Sequence, residues 1–271
     1  ELALDPKLTV NVTQAGEAIE VLAANGLELE DILAGGARGA EHLANATGSD
    51  FATAATIATD AMQQFGFKAG ELETVADGIA GVLIQSKFDA NDYALALSNA
   101  GGIAGNLGVD FGDFNTVLAA TSSFFSSGSD AGTSFKTLLT RLAKPTDDVK
   151  AAMDEFGISI FDSAGQMLPF ADISGKLNDV FKDLNESEKA ELATRLGGTD
   201  AMRTVLGLAG LTEEQFSTLS KEVNKSGQAS LAAATRVDSL TGAWEIFKGI
   251  IEAVQIQVGD KFLPIVRRVT E

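Results

Sequence analysis

Three glycines stand in nearly the same surroundings. Gly26-Leu27-Glu28-Leu29-Glu30-Asp31-Ile32, Gly66-Phe67-Lys68-Ala69-Gly70-Glu71-Leu72 and Gly108-Val109-Asp110-Phe111-Gly112-Asp113-Phe114 each run glycine, apolar residue, charge, two small or apolar residues, acid, apolar residue. The glycines lie 40 and 42 residues apart. Glycine is the residue that ends a helix in the left-handed conformation, and an acid belongs in the first turn of the next helix, beside its positive end. The pattern therefore dictates helix, tight turn, helix. Two readings stay open: a repeat of helix pairs of about 40 residues, as in helical arrays, or simple recurrence of one punctuation mark in an all-helical chain.

The remaining signals agree with short helices. Only four prolines, at positions 6, 145, 169 and 264, interrupt the chain. Capping residues and apolar spacing predict helices over 13–25, 27–46, 50–64, 70–86, 91–106, 111–127 and 133–143. After Pro145 come 147–156 with Gly157 as its stop, and 172–184 capped by Asp172. Asn185 with Glu188, and Thr212 with Gln215, have capping-box spacing; Gly197-Gly198 separates helices at 187–196 and 200–209. Small residues four apart, Gly35 with Gly39 and Gly101 with Gly105, predict closely packed helices.

One segment reads differently. Ile158 to Asp162 and Gln166 to Phe170 are β-prone runs around Ser163-Ala164-Gly165, the pattern of a small β-hairpin near 158–170. The last helix starts near Ser230, and Leu240, Trp244, Phe247, Ile251, Val254 and Val258 follow a heptad spacing of under three repeats. That seam is a candidate for self-association, or the inner face of a buried amphipathic helix. The expected architecture is mainly α: a multi-helix array of short helices with one hairpin. It divides into a helical subdomain 1–145 with the candidate repeats and a helical subdomain 146–271 with the hairpin and a long C-terminal helix.

Composition narrows function. The chain has 271 residues and a net charge of −18. Such a surface repels phosphate backbones, so direct nucleic-acid binding is not expected. There is no cysteine, hence no disulfide, thiolate nucleophile or cysteine metal site. The single histidine, His42, lies on an ordinary helix face and is a poor triad member. Lone tryptophan and tyrosine residues, Trp244 and Tyr93, far apart in sequence, do not make a sugar-stacking cleft. No calcium-loop spacing occurs, and no apolar run reaches the ~20 residues of a membrane span. The start has neither an initiator methionine nor the basic segment of a signal peptide, and reads as part of something longer. No cofactor, metal or catalytic residue is expected.

The stretch Thr121 to Pro145 organises the rest. It reads as a helix end, a small-residue turn from Gly128 to Gly132, and a helix whose Phe135, Leu138, Leu139 and Leu142 form one apolar stripe. It is no phosphate loop: the two glycines are one residue too close and Thr133 stands where lysine is required.

Residues Ser127 to Leu142 resemble the signature of the core region of phage tail tape measure proteins, with Gly128, Asp130, Gly132, Thr133, Phe135, Leu138 and Arg141 as its structural residues. Further matches keep the family's order: Asp60-Ala61-Met62 through Phe67, Val75 to Gly81, Ser86 to Asp89, Gly108 to Phe111, Phe156-Gly157-Ile158 with the hairpin, and Gly198 to Met202. Together they cover roughly residues 45–265. The resemblance implies a helical structural protein of the virion that lies in the tail lumen and, during assembly, in the host cytoplasm. It implies roles in tail assembly, tail-length determination and DNA delivery. Implied partners are other copies, tail tube and tail tip proteins and assembly chaperones, with membrane contact only at delivery. The family's long helical segments have no counterpart here, so length measurement cannot reside in this stretch alone. Alternatives of another class are a tail-associated cell-wall hydrolase and a membrane-inserting delivery protein.

Overall fold

The computed structural model describes residues 12–237. The heptad residues Leu240 to Val258 lie outside the described residues. Within them the chain is helical: α1 (Val12–Ala24), α2 (Leu29–Asp31), a π-helical turn Ile32–Gly36, α3 (Ala37–Thr47), α4 (Phe51–Phe65), α5 (Leu72–Gln85), α6 (Ala90–Asn106), α7 (Phe111–Thr121), α8 (Gly128–Ala143), α9 (Asp147–Phe156), α10 (Phe170–Phe181), α11 (Glu186–Ala209), α12 (Glu213–Val223) and α13 (Gln228–Val237).

The glycine punctuation has one physical form. Gly26, Gly66 and Gly108 take φ of 90°, 73° and 80°, the left-handed conformation that costs a side-chain-bearing residue roughly 1–2 kcal/mol. After each, the apolar residue turns its amide back into the helix: Leu27 N donates to Leu22 O at 3.1 Å, Phe67 N to Met62 O at 2.9 Å, Val109 N to Ala104 O at 3.0 Å. This is Schellman closure, which satisfies carbonyls that the helix end leaves open. Gly157 closes α9 in the same way.

The helices cluster into two compact units. Of the described residues, one holds 12–59, 68–76 and 227–237, the other 60–67 and 77–226; Pro145 lies within the second. In the first unit α3 packs against α13 and α1, around Leu22, Leu27, Ile32, Leu43, Phe51 and Leu72, all buried. Gly39 lets α3 approach the start of α5, where a Cβ would come within 3.0 Å of Leu72 C and Glu73 N. His42 Nδ1 lies 3.7 Å from Glu73 Oε1 across the same contact.

In the second unit α8 is flanked by α6 and α11 and touches α7, while α10 and α12 pack together and α10 also packs on α11. An aromatic chain fills the middle. Phe67 meets Phe111, Phe111 meets Phe65, Phe65 meets Phe114, Phe114 meets Tyr93 and Phe135, and Phe135 meets Phe170, at centroid separations of 5.1 to 6.5 Å. Such edge and tilted pairs add about 0.5–1.5 kcal/mol each beyond the area buried. The fully buried Tyr93 hydroxyl donates to Asn115 Oδ1 at 2.8 Å.

Several sequence-based expectations are corrected. The hairpin does not form, and no strand occurs among the described residues. A single antiparallel bridge joins Phe161 and Met167. Ile158 and Ile160 are buried as strand alternation would demand. However, the arms are pinned between the end of α9 at Phe156 and the start of α10 at Phe170. Asp162 Oδ1 accepts from Ala164 N and Gln166 N, folding the middle into a turn. Two arms of a few residues with no third strand cannot sustain a ladder. The helix expected over 27–46 is instead broken by the π turn at Ile32–Gly36. The helix expected to run to residue 127 stops at Thr121 and gives way to a 3-10 turn, Ser122–Phe124. Asp172 lies inside α10 rather than capping it. The break expected at Gly197-Gly198 is present: within α11 two helices meet at a kink at Gly198, whose φ of 68° and ψ of −175° lie outside helical space.

Candidate functional site

The stretch with the most specific geometry is α8. Sequence alone reads Gly128 to Gly132 as a turn, but both glycines are helical. Ser127 is the N-cap, its hydroxyl accepting from Asp130 N at 3.2 Å, and Asp130 supplies a carboxylate in the first turn. Gly128 N donates outside the helix, to Asp92 Oδ1 of α6, at 2.7 Å. The start of α8 is thus held by its own serine and by a carboxylate from the neighbouring helix, which complements the positive helix end.

The glycines face α6. A Cβ at Gly128 would land on the backbone carbonyl of Asp92, and one at Gly132 would lie 2.6 Å from Ala96 O and 2.7 Å from Ala96 Cα. Only hydrogen fits there, so two helix backbones touch along one turn. Asn99 extends the contact, donating to Ser129 Oγ at 3.1 Å. Phe135, Leu138, Leu139 and Leu142, each buried, continue the inner face.

The opposite flank meets α11. Ser134 Oγ and Thr204 Oγ1 share a buried hydrogen bond of 2.6 Å. Arg141 donates through Nε to Leu196 O and through Nη2 to Arg195 O, both at 3.0 Å. The bend at Gly198 deprives these carbonyls of their usual partners one turn on, and the guanidinium replaces them. Arg195 in turn reaches α9, 3.5 Å from Asp148 and 3.3 Å from Glu155.

Of the seven signature positions, then, Gly128 and Gly132 make the α6 contact, Phe135 and Leu138 lie in the core and Arg141 caps α11, while Asp130 and Thr133 are exposed. Several structural residues carry no signal in the sequence. Asp113 of α7 accepts from Phe170 N at 2.8 Å, capping α10, whose N-cap position is occupied by Pro169 with no capping side chain. Burial raises the pKa of Asp113 above the ordinary 3.8; the bond from Phe170 opposes the rise, and Asp110 and Asp172 add to it. Asn178 Nδ2 and Ser174 Oγ donate to Ala209 O and Leu208 O, capping the far end of α11. Asn224, at the end of α12, donates to Gly112 O at 3.1 Å. Its C-cap position was the one available clue.

None of these arrangements brings a nucleophile to a base. Among the described residues no group of three or more His, Cys, Asp or Glu side chains could hold a metal ion, and no helix is long and apolar enough to cross a membrane. The chemistry on view is capping and close packing.

Comparison with known proteins supplies the family. The sequence profile of the phage-related minor tail protein family matches residues 2–198. The chain is 26% identical to the tape measure protein of Pneumococcus phage Dp-1 over 94% of its length, covering 22% of that protein. It is 24% identical to the probable tape measure protein of Escherichia phage P2 over 73% of its length, covering 25% of that protein. The chain therefore spans about a quarter of the curated relatives it matches. No solved structure matches it. The profile covers well over half of the residues, and the chain belongs to the phage-related minor tail protein family.

Proposed function

We propose that this chain is the folded core of a tape measure protein. It acts through protein–protein contacts in tail assembly and tail-length determination, and in DNA delivery. The observation that carries the reading is similarity to two tape measure proteins along most of the chain, joined to a helical body organised by packing and caps.

The ruler itself is a matter of extended length, and helices of at most 24 residues among the described residues do not supply it. This body is instead the part that docks other tail components: further copies, tube and tip proteins, and assembly chaperones. Its place is the tail lumen of the virion, after a period in the host cytoplasm. The net charge of −18 suits a protein that shares a narrow tube with DNA and must not adhere to it. No catalytic step is assigned to it.

Cross-linking with mass spectrometry on purified tails tests the proposal. Exposed lysines such as Lys144 and Lys150 should give cross-links to tube or tip proteins. Absence of the chain's peptides from purified tails would overturn it.

A further inference from the structure

We propose that a groove along the outer side of α12 is a binding site for a linear aliphatic polyamine. Gln85, the last residue of α5, faces Glu214, Gln215, Thr218, Leu219 and Glu222 of α12 across a groove of about 400 Å³. Both walls belong to the second unit. The α12 residues recur at the spacing of one helix face. Glu214 and Glu222 bracket that face, about 12 Å apart along the axis at the usual helical rise. Between them lie the Thr218 side chain and the half-buried Leu219, and the groove is mostly apolar.

Three sources of negative potential converge on it. Glu214 lies in the first turn of α12, where a carboxylate also suits the positive helix end. Glu222 lies in the last turn, where a carboxylate opposes the helix dipole, so helix stability does not account for it. The third is the C-terminal end of α5, whose last turn carries no basic residue. Lys221, the cation of α12's last turn, is not among the groove residues. Carboxylates so far apart cannot share one metal ion, whose oxygen ligands lie within about 2–2.6 Å of it. A chain of methylenes with an ammonium at each end meets both demands. Its charges reach Glu214 and Glu222, and its carbons cover Leu219. Exposed ion pairs are individually weak and screened by salt, so selectivity rests on the spacing. The site stands on the geometry of α5 and α12 and does not depend on the tail reading.

Calorimetric titration of the intact chain with spermidine at low ionic strength tests it, and one saturable site is expected. Glu214→Gln combined with Glu222→Gln should weaken binding about fivefold or more, the loss of two exposed ion pairs. Asp183→Asn combined with Glu191→Gln makes the same charge change on exposed residues elsewhere and should leave the affinity unchanged. Octanediamine, long enough to reach both carboxylates, should bind more tightly than butanediamine of equal charge, a preference that the Glu214 and Glu222 double variant should lose. The proposal fails if no saturable binding is seen, if the Asp183 and Glu191 pair weakens binding equally, or if the length preference survives in the groove variant.

Discussion

Arg141 donates to the carbonyl oxygen of Leu196 from 55 residues away, at 3.0 Å. A second bond to Arg195 O makes the guanidinium a two-pronged cap on the first half of α11. Hydrogen bonds from a charged donor are worth about 1.5–3 kcal/mol, so Arg141→Ala should destabilise the protein by about 2–3 kcal/mol in urea unfolding. Arg141→Lys should recover only part of this, because an ammonium lacks the planar fork. A loss below about 0.5 kcal/mol would mean that the bend at Gly198 needs no external cap.

Gly132 and Gly102 offer a matched pair. Alanine is favoured over glycine inside a helix by roughly 1 kcal/mol. At Gly102 nothing lies within 4 Å of an added Cβ, so Gly102→Ala should raise the melting temperature. At Gly132 the same methyl meets the Ala96 backbone, and overpacking of this kind costs about 1–3 kcal/mol or more. Gly132→Ala should therefore lower the melting temperature, and Gly132→Val should lower it further.

Asp113 predicts a pH effect. Its pKa is raised in the folded protein, so the favourable contribution is complete below the unfolded value near 3.8 and is lost as pH rises through the folded one. Asp113→Asn keeps an oxygen for the Phe170 amide and cannot ionise. Its stability relative to wild type should climb between pH 3.5 and pH 7 (roughly the span that brackets an aspartate titration), as read from unfolding curves at both. Asp113→Ala leaves that amide without its cap and should cost about 1 kcal/mol.

What the sequence reveals here is what is local. The Asn185–Glu188 and Thr212–Gln215 capping boxes form as their spacing predicts, because each lies within one turn of chain. Gly26, Gly66, Gly108 and Gly157 stop helices because glycine alone reaches left-handed φ without strain. The Phe135–Leu142 stripe is buried because helical periodicity leaves it one side to hide. The failures are tertiary. Gly128 and Gly132 look like a turn until α6 supplies a backbone that only glycine can approach. Asp113 and Arg141 cap helices 57 and 55 residues away, and no window along the sequence contains both partners. Ile158 and Ile160 alternate correctly, yet two short arms with no third strand hold only the one bridge between Phe161 and Met167.

The account joins a packing claim to a functional one, and tail assembly reads both. In a phage whose tail protein carries this chain, Gly102→Ala should give intact tails in ordinary number and of unchanged length, whereas Gly132→Val should leave particles without tails. Electron microscopy of the particles counts both. Normal tails assembled with Gly132→Val would contradict the proposal that this folded core acts in tail assembly.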